Sequence, residues 1–163
     1  MYPYECIEYP SMDYDADGLS NIDEKTVGSD PTSIDSDNDG LTDYLEVRQY
    51  MTDPSSNDTD NDTMDDYWEV QYGLDPHVND SHIDSDNDGL SNMDEYNYGT
   101  NPTNTDTDND DMPDGWEIQY GLNPLNPYDS TQDNDNDGLT NREEYLYSTD
   151  PNNNDTDGDG YGD

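Results

Sequence analysis

Residues 35–46 read DSDNDGLTDYLE. Carboxylates stand at Asp35, Asp37 and Asp39, a glycine follows at Gly40, and two further acids come at Asp43 and Glu46. This is the order of a twelve-residue loop that wraps oxygen atoms around one point. Positions 1, 3 and 5 supply carboxylates, position 6 turns sharply, and position 7 (Leu41) offers its backbone carbonyl. Position 9 often acts through water, and position 12 is a bidentate carboxylate. Calcium takes six to eight oxygens at roughly 2.3–2.6 Å, which this spacing can provide. Magnesium prefers octahedral geometry and keeps its waters, so it fits poorly.

The same string recurs along the chain. Asp-x-Asp-x-Asp begins at Asp13, Asp35, Asp58, Asp84, Asp106, Asp133 and Asp155, at intervals of 22, 23, 26, 22, 27 and 22 residues. From Asp35 onward short and long units alternate, each pair spanning 49 residues. The candidate ligands of the first loop are Asp13, Asp15, Asp17, Leu19, Asn21 and Glu24, and those of the second Asp35, Asp37, Asp39, Leu41, Asp43 and Glu46. The third offers Asp58, Asp60, Asp62, Met64, Asp66 and Glu69, and the fourth Asp84, Asp86, Asp88, Leu90, Asn92 and Glu95. The fifth offers Asp106, Asp108, Asp110, Met112, Asp114 and Glu117, and the sixth Asp133, Asp135, Asp137, Leu139, Asn141 and Glu144. The seventh has Asp155, Asp157, Asp159, Tyr161 and Asp163 and runs out there, at position 9. Positions 1, 3, 5, 9 and 12 together hold 31 of the 44 carboxylates. Acid that merely solubilised a chain would not fall in phase. Position 6 departs from glycine at Thr63 and Asp111. That turn wants positive φ, which a β-branched residue resists, so the Asp58 loop is expected to be strained, weaker or differently wound.

Composition agrees that cations matter. Of 163 residues only 26% are hydrophobic, Phe is absent, and three basic residues face 44 acids for a formal charge of -41. Without neutralisation such a chain repels itself and stays disordered. The charge excludes nucleic acid as a partner. No apolar run approaches a membrane span, so membrane insertion is not expected. Cys6 is the single cysteine, which rules out an intrachain disulfide. The opening "MYPYECIEYP" lacks the basic and apolar regions of a signal peptide. The sequence reads as a mature piece of something longer.

Between the loops, position 9 onward predicts a short helix. Stops recur at Asp53-Pro54, Asp75-Pro76, Asn101-Pro102, Asn123-Pro124 and Asp150-Pro151. No entering helix precedes most loops, so the paired helices that open in a sensor EF-hand are absent. Apolar residues recur in register. Leu or Met stands at position 7, Trp68 and Trp116 at position 11, and Val47, Val70, Tyr96, Ile118 and Tyr145 at position 13. Tyr72, Tyr98, Tyr120 and Tyr147 stand at position 15. They read as small clusters shared between neighbouring units, in a quasi-one-dimensional array. The other reading is an exposed aromatic stripe for glycans or partners. His77 and His82 read as solvated surface. Asn57, Asn61, Asn79 and Asn154 lie in acceptor sequons for N-glycans. No phosphate loop or activated nucleophile is evident, and an enzyme is not expected.

The strings "DSDNDGLTDYLE", "GTNPTNTDTDND" and "STDPNNNDTDGDG" resemble thrombospondin type 3 repeats, in the form common in bacterial and archaeal surface proteins. The resemblance runs from Asp13 to the end. It implies calcium-dependent stalks, linkers or spacers of secreted and surface-anchored proteins, with little regular secondary structure. The chain lacks the Cys residues of the animal repeats and is rich in Tyr. The 22-residue period is also similar to that of dockerin modules, which usually have two loops rather than seven.

The expected fold is a calcium-stapled tandem repeat array. It is mostly loops, with a short helix after each EF-hand-like loop and no sizeable hydrophobic core. Residues 1–12 form an N-terminal segment that reads as the remnant of a preceding repeat, and residues 13–163 the seven repeats. About seven calcium ions are expected, in an extracellular or cell-surface setting. The first functional reading is a rigid spacer or fibre-forming segment. The alternative is a dockerin-like, calcium-dependent protein-binding module, with a calcium buffer or sensor third. Head-to-tail self-association is a further expectation, with Glu5 or Glu8 of one chain completing the seventh loop of another; two ends simply cut from a longer array are the simpler alternative.

Overall fold

A computed structural model of the chain describes residues 12–163. The N-terminal segment, with Cys6, Glu5 and Glu8 and the contact expected of them, lies outside the described residues. The chain divides into two compact units, with the boundary between Asn79 and Asp80. The first holds the loops from Asp13, Asp35 and Asp58, the second those from Asp84, Asp106, Asp133 and Asp155.

Every complete loop runs into a short helix that begins at its position 9. In the first unit these are α1 (Asn21–Val27), α2 (Asp43–Leu45) and α3 (Asp66–Tyr72), with α2 continuing as a π-helical turn over Glu46–Tyr50. In the second they are α4 (Asn92–Tyr98), α5 (Asp114–Tyr120) and α6 (Asn141–Tyr147), and a 3-10 turn covers Asp129–Thr131. No strand forms among the described residues. Most helices are seven residues, about two turns, too short to persist without their surroundings.

Local chemistry sets both ends. Ser20, Thr42, Asp65, Ser91 and Thr140 precede the helices and accept a first-turn N–H on their side chains. Ser91 with Asp94 and Thr140 with Glu143 form reciprocal capping boxes. Left-handed residues end the helices: Gly28, Gly73, Gly99 and Gly121, and, less comfortably, Met51 and Ser148. The Asp-Pro and Asn-Pro steps follow shortly after.

The buried Leu and Met side chains among the described residues are Leu19, Leu41, Met64, Leu90 and Met112, all at position 7, and the prolines Pro54, Pro76, Pro102, Pro124 and Pro151 of the stop steps are buried as well. Leu139, at the same place in the sixth loop, is half-buried. The position-13 residues are half-buried too. Trp116 of α5 meets Tyr145 of α6 edge-on at 5.3 Å and Tyr120 at 4.8 Å. Trp68 packs on Tyr72 at 5.0 Å. The expected sharing of aromatic clusters between neighbouring repeats therefore holds for Trp116, whereas Tyr98 and Tyr147 are exposed.

Candidate metal centres

Each loop is wound by its own carboxylates. In the second, Asp35 Oδ1 accepts the Asn38 N–H at 2.7 Å and Oδ2 the Gly40 N–H at 3.2 Å. Asp37 Oδ1 accepts from Asp39 N–H at 3.2 Å, and Asp39 Oδ1 from Leu41 N–H at 2.7 Å. The first, fourth and sixth loops repeat the scheme. Position 6 has positive φ, as expected, and so has position 4: Asn38, Asn61, Asn87, Asn109 and Asn136 have φ of 64–70°. The recurrent Asn was a legible signal for that, since Asn tolerates the left-handed region. Thr63 adopts φ 80° and Asp111 φ 72°, and each still donates its N–H to the first Asp of its loop, at 2.9 Å. The Asp58 loop thus keeps this bond and holds a β-branched residue in a region it resists.

This winding brings the acids together. Asp13, Asp15 and Asp17 can share one ion, as can Asp35, Asp37 and Asp39, and Asp58, Asp60 and Asp62. A second kind of group crosses between repeats: Asp39 and Glu46 of the second repeat join Asp66 of the third, with ligand oxygens all within 4.8 Å. The spacing argument places position 9 in its own loop; the structure gives Asp66 to the preceding repeat's cluster as well. Main-chain bonds seal the same seam. Asp17 Oδ2 accepts from Tyr44 N–H at 2.9 Å, Asp39 Oδ2 from Tyr67 N–H at 3.2 Å, and Asp88 Oδ2 from Gly115 N–H at 2.8 Å.

A hydroxyl relay positions the ninth residue, and sequence reasoning missed it. Asp53 N–H donates to Thr59 Oγ1 at 2.9 Å, and Thr59 Oγ1 donates to Asp66 Oδ2 at 2.7 Å, while Thr59 N–H reaches Asp66 Oδ1 at 2.9 Å. Ser36 with Asp43, Thr107 with Asp114 and Thr156 with Asp163 do the same. Ser or Thr at position 2 wherever position 9 is Asp would have revealed it. At least three acceptor sequons have their hydroxyl engaged, at Thr59, Thr63 and Thr156, although Asn57, Asn61, Asn79 and Asn154 are all exposed.

The position-12 glutamates decide what the clusters can do. Glu24, Glu46, Glu69, Glu95, Glu117 and Glu144 are all 0% exposed. Both carboxylate oxygens of Glu24, Glu117 and Glu144, and one each of Glu46 and Glu95, are buried with no hydrogen-bond partner. So is one oxygen of Asp15, Asp37, Asp60, Asp86 and Asp135. Thr52 donates to Glu46 Oε1 at 3.1 Å, leaving the other oxygen orphaned. Burial, with Asp37 and Asp39 adding to it, pushes Glu46 up to about 8. Burial raises Glu95 to about 8 and Glu117 to about 9, helped by the aspartates of their loops. Glu24 and Glu144 rise to about 7 for the same reasons. Buried carboxylates persist only when paired or ligated to metal, and the three basic residues cannot serve them all. Arg48 instead bridges to Asp23 at 3.1 Å and Arg142 to Asp111 at 2.7 Å, both on the surface. An all-oxygen donor set of this kind suits a hard divalent ion, and calcium fits it.

Residues 13–33, 35–56, 84–105, 106–127 and 133–154 match the bacterial TSP3 repeat. The chain belongs to the bacterial TSP3 repeat family. That repeat is a structural unit rather than an enzymatic one, and TSP3 repeats bind calcium. The loops from Asp58 and Asp155 lie outside the matched segments, yet their first Asp receives the position-6 N–H as in the TSP3 segments. A solved structure described as a biofilm associated protein, B domain, is 40% identical over 27% of this chain and 11% of that one, with a TM-score of 0.26. The TSP3 chain therefore spans about a tenth of that relative. No curated protein matches it. Among the described residues no helix is long and apolar enough to cross a membrane.

Proposed function

We propose that this chain is a calcium-stiffened spacer or stalk segment of a secreted or cell-surface protein, its repeats stapled to one another by ions. The observation that carries this reading is the set of fully buried glutamates at position 12, with both oxygens of Glu24, Glu117 and Glu144 and one each of Glu46 and Glu95 left without a hydrogen-bond partner. In the second repeat Glu46 gathers with Asp39 and Asp66. An ion held there ties two repeats, so rigidity follows from occupancy. The Asp-x-Asp-x-Asp groups account for about seven ions. The group Asp39–Glu46–Asp66 offers a further ion at the seam of the second and third repeats, with Asp39 common to both groups.

The setting follows from a magnitude. Extracellular calcium modules bind at roughly 10⁻⁴–10⁻³ M. At millimolar calcium and the tighter end of that range, each site contributes roughly 1.5 kcal/mol of folding free energy. Seven sites contribute on the order of 10 kcal/mol, comparable to a whole domain's stability. At cytosolic calcium the contribution nearly vanishes. Seven divalent ions offset roughly a third of the net charge, which keeps the surface acidic and solvated.

The test is a calcium titration followed by circular dichroism and Trp fluorescence, with small-angle scattering at each end point. A rise in helix signal together with a rigid, elongated particle is expected. A chain indifferent to calcium sinks the proposal. Stoichiometric, calcium-dependent capture of a second protein would instead favour a dockerin-like module, and capture of its own copies a fibre.

A further inference from the structure

Asp129 is a carboxylate that the loop template leaves out. It lies ahead of the sixth loop, in the segment that makes the fifth repeat long, and opens the 3-10 turn Asp129–Thr131. It is 6% exposed, and its Oδ1 is buried with no hydrogen-bond partner. Glu117, fully buried, has both oxygens orphaned, and Asp110, 7% exposed, has one. Ser130, the next residue, donates its hydroxyl to the Pro127 carbonyl at 2.9 Å, and its side chain lies near enough to Asp110 to favour that carboxylate's charged form. The charge of Asp129 adds to burial and to Asp110 and Asp108 in raising Glu117.

The hydrogen bonds show what Asp129 replaces. At the start of the fifth loop, Asn101 N–H donates to Thr107 Oγ1 at 2.9 Å, and Thr107 Oγ1 donates to Asp114 Oδ2. The sixth loop has Asn134 at position 2 and Asn141 at position 9, so it has neither the hydroxyl nor the carboxylate. Asn123 stands in the linker place of Asn101. It donates its N–H straight to Asp129 Oδ2 at 3.0 Å, again six residues on. Asn141 turns its amide to the backbone carbonyl of Asp129 at 2.9 Å. The linker thus supplies the carboxylate, and position 9 becomes the strut that holds it.

We propose that Asp129 is a calcium ligand that closes, with Asp110 and Glu117, the cation site between the fifth and sixth repeats, in place of the position-9 carboxylate that Asn141 lacks. The inference rests on reading the acidic clusters as calcium sites. It makes the extra length of the long unit a ligand arm rather than a loose insertion.

The test is the number and affinity of bound calcium ions, by equilibrium dialysis of the full chain and of Asp129→Asn, with circular dichroism as a check on folding. The asparagine keeps an oxygen for the Asn123 N–H, so a purely structural role would leave calcium binding unchanged. The expected result is one ion lost, or one bound at least tenfold more weakly, with helix content retained at saturating calcium. An unchanged number and affinity overturns the proposal while leaving the spacer reading intact. If the parent chain binds no calcium, the underlying reading fails and this one with it. If the variant is unfolded at the parent's saturating calcium, a tenfold increase must restore the near-UV signal of Trp116; a variant that stays unfolded at every calcium concentration also overturns the ligand role.

Discussion

Glu46 and Asp66 belong to different repeats, yet their carboxylate oxygens lie within 4.8 Å of each other and of Asp39. Removing Glu46 should therefore loosen two repeats rather than one. For Glu46→Ala the expected outcome is at least a tenfold loss of calcium affinity, about 1.4 kcal/mol, confined to the second and third repeats. Glu95→Ala should act in the same way on the fourth and fifth, because Asp114 is among the charges that raise Glu95. Hydrogen exchange resolved by segment checks this. Loss of protection spread evenly over the whole chain would count against an array of nearest-neighbour contacts.

Chelation should unfold the chain, and magnesium should not restore it. The motive is the fully buried position-12 glutamates set beside only five buried Leu and Met side chains among the described residues. Near-UV circular dichroism of Trp68 and Trp116 reports the loss. A spectrum that persists in EDTA would show that packing alone suffices.

The parts of this site legible in the sequence are those set by spacing within one loop. Asp35, Asp37, Asp39 and Glu46 must stand where they do for one turn of chain to bring their oxygens inward, whatever surrounds it. The helix from position 9 was legible too, with the Pro steps as its stops, whereas the capping roles of Thr42 and Ser91 came from the structure. The role of Asp66 across the seam was not, because it depends on how the third repeat packs on the second. Asp129 was hidden for a related reason. It lies outside the template, and only the hydrogen bonds of Asn123 and Asn141 place it.

Acid should act in opposite directions with and without calcium. Burial lifts Glu46 and Glu95 to about 8 and Glu117 to about 9, from an ordinary 4.5. A group raised on folding contributes stability that is fully present below its unfolded value and lost as pH rises through the folded one. The cation-free fold should therefore gain helix signal as pH falls from about 9 to about 5. In calcium, protons compete with the ion for the same carboxylates, so the calcium midpoint should move to higher concentration as pH falls. Paired pH titrations by circular dichroism decide the matter. A flat trace in chelator over that range would contradict the burial of these glutamates.

Thr63→Gly should stabilise the third loop. A side chain in the left-handed region costs about 1–2 kcal/mol, and Thr63 sits at φ 80°. Set against the greater unfolded-state freedom of glycine, a net gain of about 1 kcal/mol is expected, or roughly a fivefold tighter calcium midpoint for that loop. Gly40→Thr should do the reverse and more, since a Cβ there would meet the ring of Tyr67 at 3.3 Å. If Thr63→Gly weakens the loop, the hydroxyl of Thr63 matters more than its backbone strain.

Gly115 gives the sharpest test of the seam between the fourth and fifth repeats. It lies in the first turn of α5, within the run DGWEIQY, where helix propensity alone predicts that Ala would be better by about 1 kcal/mol. The contact predicts the opposite. A Cβ on Gly115 would lie 2.4 Å from the backbone carbonyl oxygen of Asp88, an atom that cannot swing aside. The Gly115 N–H also donates to Asp88 Oδ2 at 2.8 Å, so backing the helix away would break the bond that orients a metal-cluster carboxylate. Overpacking of this kind costs about 1–3 kcal/mol, and displacement of Asp88 adds a weaker calcium site to that. Gly115→Ala should therefore lower the melting temperature in saturating calcium and raise hydrogen exchange around Asp88 and Glu95, while the repeats before Asn79 keep their protection. A variant as stable as the parent, with Asp88 and its neighbours equally protected, would show that the two repeats do not meet at this distance.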